Sequence, residues 1–162
     1  MAINAFIQFK GATGEAVQKG KEGWTELQGW DWDVEAESSW TKGGGASVGK
    51  PNPGKMNFEH YFDKSSPTIL KFITTGQAFE TITMEMMKTV GAGSPDTFFK
   101  KTMQGAYITK VSHTASEEGN VTQKVEFVFK SCTIDYKPQN SSSGKLDSPI
   151  SWTWDVVKNV TS

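Results

Sequence analysis

"VTQKVEFVFKSCTIDYK", residues 121–137, changes phase halfway along. Val125, Phe127 and Phe129 fall on odd positions, whereas Cys132, Ile134 and Tyr136 fall on even ones. Successive side chains of a strand point to opposite faces, so this one-residue slip would turn the second set to solvent. A bulge or bend at Lys130–Ser131 returns that set to the same side. Such a corner is what a small, strongly curved barrel needs.

Period two recurs outward from this segment. Residues 4–9 read as a short first strand around Phe6 and Ile7. Trp30, Trp32 and Val34 share a face, with Asp31, Asp33 and Glu35 on the other. Phe58 and His60 alternate in "MNFEHYFD", Ile82, Met84 and Met86 in "FETITMEMMK", and Tyr107, Thr109 and Val111 in "AYITKVSH". The last strand sets Ile150, Trp152, Trp154 and Val156 on one side. A single helix is expected inside "DKSSPTILKFITTGQ". There Ser66 suits the N-cap, Pro67 the first helical position, and Gly76 the left-handed stop. Ile69, Leu70, Phe72 and Ile73 give it an apolar face, and a helix this short must pack against the sheets. The stretch "SSWTKGGGASVGKPNPG" (38–54) reads as a long, flexible, protruding loop, and "GAGSPD" (91–96) and "PQNSSSGKLDSP" (138–149) read as turns.

Composition narrows the function. A chain of 162 residues reads as one domain, 1–162, able to bury most of its unfolded surface. Its net charge of -1 provides no global field for nucleic acid, anionic membranes or acidic substrates. All 17 basic residues are lysine, so the bidentate fork used for phosphate and guanine is missing, and no nucleic-acid partner is expected. No apolar run approaches a membrane span, so no membrane insertion is expected, and "MAINAFIQFK" shows no secretory signal pattern. The lone Cys132 reads as a small core residue on a strand.

No catalytic, cofactor or metal constellation stands out. His60 and His113 are far apart in sequence, and one cysteine completes no zinc pattern. Asp31/Asp33 and Glu117–Glu118 read as solvated charge. "KGGGASVGK" lacks the spacing of a phosphate loop and opens no helix. The chain therefore reads as a binding or assembling protein, with no cofactor. Neighbouring apolar residues on several strands, such as Met86–Met87, Phe98–Phe99 and Val156–Val157, favour an oligomer. The paired tryptophans of "GWDWDVEAE" (29–37) and "SWTWDVVKN" (151–159) admit two readings. Trp30, Trp32, Trp152 and Trp154 are core or interface aromatics, or they form the platform of a β-sandwich carbohydrate-binding module. A small hydrolase of unknown type is a third reading.

The order of segments resembles the Hcp (haemolysin-coregulated protein) family, the inner-tube subunit of type VI secretion systems. The resemblance rests on "FIQFKGATGEA", "LQGWDWDVEAES", "KGGGASVGK", "MNFEHYFDKSSPTILKFITTGQAF", "VEFVFKSCTIDYKPQ" and "SWTWDVVKNV", which run nearly end to end. It implies a mainly β fold: a compact antiparallel β-barrel of two packed sheets with one short flanking α-helix. It also implies hexameric rings that stack into tubes, and a lumen that carries and shelters effectors as a chaperone does. Sheath and spike proteins would be further partners. Assembly would take place in the bacterial cytoplasm, followed by export through the type VI apparatus without a signal peptide. No fused toxin domain is expected beyond Ser162. On this reading the ring-stacking loop is Lys42, Gly43, Gly44, Gly45, Ala46, Ser47, Val48, Gly49 and Lys50. The lumen- or cargo-facing candidates are Ser112, Thr114 and Ser116, a hydroxyl-bearing face that alternates with Val111 and His113.

Overall fold

The computed structural model describes residues 4–41, 45–90 and 93–162. Its axis is a long hairpin. β9 (Ala78–Val90) and β10 (Ser94–Ala115) pair antiparallel from Ser94 opposite Val90 to Tyr107 opposite Ala78. On its other edge β10 carries two strands in succession, β11 (Val121–Val128) beside 107–115 and β12 (Ser131–Tyr136) beside 99–104. These two are the halves of the stretch whose phase slips, and the break falls at Phe129–Lys130, one residue before the Lys130–Ser131 read from sequence, with Ser131 already the first residue of β12. Lys130 N–H donates to Gln104 O at 2.9 Å, and Val156 N–H donates to Lys130 O at 2.9 Å. Opposite the break, Gly105 takes φ +63, and a Cβ there would meet Lys130 Cβ at 3.1 Å. Glycine turns this corner because other L-residues pay for that backbone conformation. Phe127, Phe129, Cys132 and Trp154 are consequently all buried in the core.

The wall extends from both halves. β11 pairs with β8 (Met56–Tyr61), which pairs with β3 (Gly29–Asp31). β12 pairs with β13 (Ile150–Asp155), which pairs with β14 (Val160–Thr161). β9 pairs on its far edge with β1 (Ala5–Phe9), and β1 pairs with β2 (Thr25–Glu26). Among the described residues the ladders do not form a complete closed barrel. The segment 25–31 changes partner instead: Leu27 N–H donates to Ala5 O at 2.9 Å, and Gln28 N–H donates to Glu59 O at 2.8 Å. One stretch of chain thus joins the β1 side to the β8 side. Two small ladders lie apart, β4 (Val34–Glu35) with β7 (Asn52–Pro53) and β5 (Ser38–Thr41) with β6 (Gly45–Val48).

α1 (Ser66–Thr75) packs on the open side through Ile69, which is buried, and Phe72, whose ring stacks on Phe79 at 3.9 Å. Gly76 ends it at φ +71, as read from sequence. The N-cap is Ser65 rather than Ser66, and its hydroxyl makes no cap bond to the helix. Asp63 takes that hydroxyl instead: Ser65 N–H and Oγ–H both donate to Asp63 Oδ1, and Thr25 Oγ1 donates to Oδ2 at 3.1 Å. Ser66 Oγ accepts from Asp63 N–H at 3.0 Å, so the network ties β2, the end of β8 and the helix start together.

Three further expectations change. The stretch 38–54 is not a free loop throughout: β5 and β6 form a hairpin, with Gly45 at φ +77 leading into β6. Tyr107, Thr109 and Val111 do not share a face, because the ladder slips between Ile108 and Lys110 and leaves Thr109 as the extra residue. Ile108 and Val111 both turn to the core, and Tyr107 is exposed. The apolar stripes also run past the core, since Val34 and Ile150 are exposed at their ends.

Phe6 is buried on the face of β1 opposite Phe9. Residues 10–24 cover that side, with Ala16 buried and Lys21 Nζ paired to Glu85 at 2.6 Å. Gly105→Ala tests the corner. It is expected to cost about 1–2 kcal/mol in urea unfolding, from the left-handed backbone alone. A change indistinguishable from zero would show that the corner does not need glycine.

Candidate functional site

Lys101 occupies the inward parity of β10 where both edges are paired, opposite Met84 on β9 and Ile134 on β12. It is 0% exposed. Its Nζ lies 3.3 Å from the centroid of the Trp32 ring, 5.4 Å from that of Phe129, and 3.7 Å from Met56 Sδ. None of the ion pairs among the described residues reaches it. Burial pushes its ammonium down to about 7, and the weak charge coupling to Cys132 opposes this. Burial likewise raises the Cys132 thiol. The indole face is the compensation the site offers to a charged lysine, worth about 2 kcal/mol when desolvated.

The tryptophan pairs surround this lysine. Trp32 packs against Phe129 at 5.7 Å and Trp152 at 6.4 Å, and Trp152 packs against Trp154 at 5.9 Å. Trp30 stacks on Phe99 at 5.5 Å. Three of their N–H groups are used within the fold: Trp30 to Met86 Sδ, Trp32 to Gly54 O at 3.0 Å, and Trp154 to Asn159 Oδ1 at 3.2 Å. Trp154 is buried, and the other three are half-buried against the core. The rings tilt against one another across the wall and do not lie side by side as an open platform. By bonding Gly54, Trp32 also fixes the base of the arm that carries β5 and β6.

A second polar chain links residues that sequence spacing kept apart. His60 is fully buried and donates Nε2–H to Gln123 Oε1 at 2.7 Å, and Gln123 Nε2–H donates to His113 Nε2 at 3.0 Å. His60 Nδ1 has no hydrogen-bond partner and lies 3.9 Å from Asp63 Oδ1. Burial lowers the His60 pKa, and the bond to Gln123 partly offsets this. Among the described residues no three His, Cys, Asp or Glu side chains gather as a metal site.

The candidate assembly residues fall in different places. Lys42, Gly43 and Gly44 lie outside the described residues. Gly45–Val48 form β6, and Val48, Gly49 and Lys50 are exposed, with Gly49 N–H donating to Glu37 O at 2.6 Å. Ser112, opposite Lys124, is half-buried on the outer face of the wall. It lines a groove of about 400 Å³ with Asp31, Glu59, Lys110, Lys124 and Glu126. Thr114 is exposed opposite Thr122, and Ser116 lies in the turn beyond, its N–H donating to Asn120 O at 3.0 Å. The face that read as hydroxyl-bearing is therefore charged at Ser112, because cross-strand neighbours supply residues that spacing along one strand does not show.

Such a molecule is a mainly β, antiparallel wall with one flanking helix among the described residues. The family described as "Type VI secretion system effector, Hcp" matches residues 6–136. The chain belongs to this Hcp family of type VI secretion proteins. It is 26% identical to Protein hcp1 of Pseudomonas aeruginosa over 161 residues, which covers 99% of each chain. Its fold is shared with a type six secretion system protein at a TM-score of 0.90, with 21% identity and coverage of 99% of this chain and 100% of that one. It is also shared with Hcp1 from Salmonella typhimurium at a TM-score of 0.80, with 24% identity and full coverage of both chains.

Lys101→Met tests the buried cation. Lysine bound in the unfolded chain holds its proton to about 10.5, and the folded one gives it up near 7. Stability from this group therefore rises as pH climbs from about 7 towards 10.5, and its burial penalty is complete below 7. The melting temperature of the variant relative to the native protein is expected to be highest at pH 6 and to fall steadily towards pH 10. A constant difference across that range would show that Lys101 titrates normally.

Proposed function

We propose that this chain is the structural subunit of a type VI inner tube: one domain, non-catalytic, assembling in the cytoplasm into hexameric rings that stack and are then expelled. The observation that carries this reading is the agreement over the whole chain with a type six secretion system protein at a TM-score of 0.90 and with Hcp1 from Salmonella typhimurium at 0.80, within a family that matches most of the sequence. The sheet path supports it, since it runs from β14 at one end to β3 at the other and so offers two unlike flanks. A closed ring needs such unlike, complementary surfaces on each subunit. Sheath and spike proteins are the further partners of this reading, and effectors are carried in the lumen.

Stacking is assigned to the arm 42–50, held at its base by Trp32 and Gly54. Cargo contact is assigned to the outer face bearing Ser112, Thr114 and Ser116. There a polar, charged groove makes adaptable hydrogen bonds to varied surfaces.

Light scattering on the purified protein is expected to give six copies of the 17.8 kDa chain, about 107 kDa. Ring-shaped particles should appear in the same peak, and a monomer at every concentration tested would overturn the ring. Lysine placed at Gly44, Gly45 and Ala46 is expected to abolish stacked tubes and leave single rings. Tubes of normal length would remove the arm from the stacking contact. Ser112→Trp is expected to reduce co-purification of effectors without changing ring mass, and undiminished effector recovery would remove this face from cargo binding.

A further inference from the structure

Two exposed features at opposite ends of the sheet path complement each other in shape and charge. The first is a groove of about 270 Å³ at the outer end of β8, where the covering segment 10–24 meets the chain leading to α1. Val17 (87% exposed), Tyr61 (50%) and Phe62 (42%) supply apolar surface, and Glu15, Glu26 and Asp63 surround it without a lysine among the lining residues. These walls are already fixed: Phe62 N–H donates to Val121 O at 2.8 Å, its ring packs edge-on to His113 at 5.5 Å, and Asp63 is held by Ser65 and Thr25. The groove loses little freedom when it is filled.

The second feature is the turn joining β13 to β14. Val157 is 68% exposed and Val160 is 58% exposed, with Lys158 between them. None of the ion pairs among the described residues includes Lys158. The turn is rigid. Asp155 Oδ1 accepts the Lys158 N–H at 2.9 Å, and Asn159 takes φ +54 while its Oδ1 receives the Trp154 indole N–H. Thr153 and Ser162 exchange two backbone bonds that close the pair of strands behind it.

We propose that the Val157–Lys158–Val160 ridge of one copy seats in the Tyr61/Phe62 groove of the next, with the lysine ammonium among Glu15, Glu26 and Asp63. This rests on the ring reading and adds to it the surfaces through which neighbouring subunits meet. The contact is head to tail, because β14 ends the sheet path and β8 lies beside its other end. The groove brings apolar area with acidic neighbours, and the ridge brings two exposed valines flanking one lysine. That arrangement sets register and excludes the reversed pairing, in which like charges would meet. Each side is also ordered before contact, which keeps the entropic cost of closing a ring low.

Charge exchange tests it. Glu15 and Lys158 are both exposed, so Glu15→Lys and Lys158→Glu are expected to keep the native circular dichroism and melting curve. Each single variant is expected to need at least about tenfold more protein to reach half assembly, read as mass by light scattering. An equimolar mixture of the two is expected to recover the native mass. In a six-membered ring of alternating variants Lys158 meets Glu15 at one kind of contact and the exchanged pair meets at the other. Undiminished rings in both single variants would overturn the docking while leaving the ring reading intact. A native protein that never forms rings would overturn the ring reading itself. Failure of the mixture to recover would show that the two residues do not meet. Intact rings with lost tubes would mean that the groove receives a copy from the ring above, which also overturns the lateral contact.

Discussion

β10 is 22 residues long and hydrogen-bonded on both edges through its middle. The rest of the fold follows from that constraint. A strand of this length cannot stay flat in a small protein, because twist accumulates along it and its inward side chains would diverge. Three irregularities relieve it, one at Phe98 against β9, one at Gly105 opposite Phe129–Lys130, and one at Thr109 against β11. Past these irregularities the inward residues return to a single core, and the wall continues from β11 to β8 and from β12 to β13 and β14.

How much of this was legible in the sequence depended on whether a slip fell among strongly apolar residues. At 125–136 both parities are marked by Val, Phe, Cys and Ile, so the change of phase can be read directly. At Thr109 the neighbours are Tyr107, Ile108 and Lys110, a mixture in which either parity can pass for the inner one. Lys101 was missed for a related reason. A lysine in an alternating strand reads as outward, and only the folded arrangement places Trp32, Phe129 and Met56 around it. The Ser65 hydroxyl makes no cap bond because Asp63 competes for it, and Thr25 of β2 holds the other oxygen of that carboxylate. Glycine abundance marked 42–50 as a loop, while β5 and β6 depend on pairing that composition does not display.

The candidate surfaces were less legible than the fold. Nothing in the spacing of His60, Gln123 and His113 announces that they form one chain of bonds. Ser112 was read from one strand, but its surroundings are set by Lys124 and Glu126 on β11 and by Asp31 and Glu59 beyond. The family came into view through the order of many weak motifs and not through any single spacing. The tryptophans illustrate the difference. Their alternation is obvious, yet their purpose is apparent only once Trp32 is seen holding Gly54 on one side and facing Lys101 on the other.

The partner exchange along residues 25–31 has a mechanical meaning. Elsewhere the wall is held laterally by rows of hydrogen bonds, which can be sheared together when a load is spread along a strand. Between β1 and β8 the covalent chain itself crosses the seam at Leu27–Gln28, bonded backward to Ala5 and forward to Glu59. A pull that parts those two strands must peel bonds one after another from whichever side yields first. The seam that looks incomplete as a ladder is sewn through with peptide bonds.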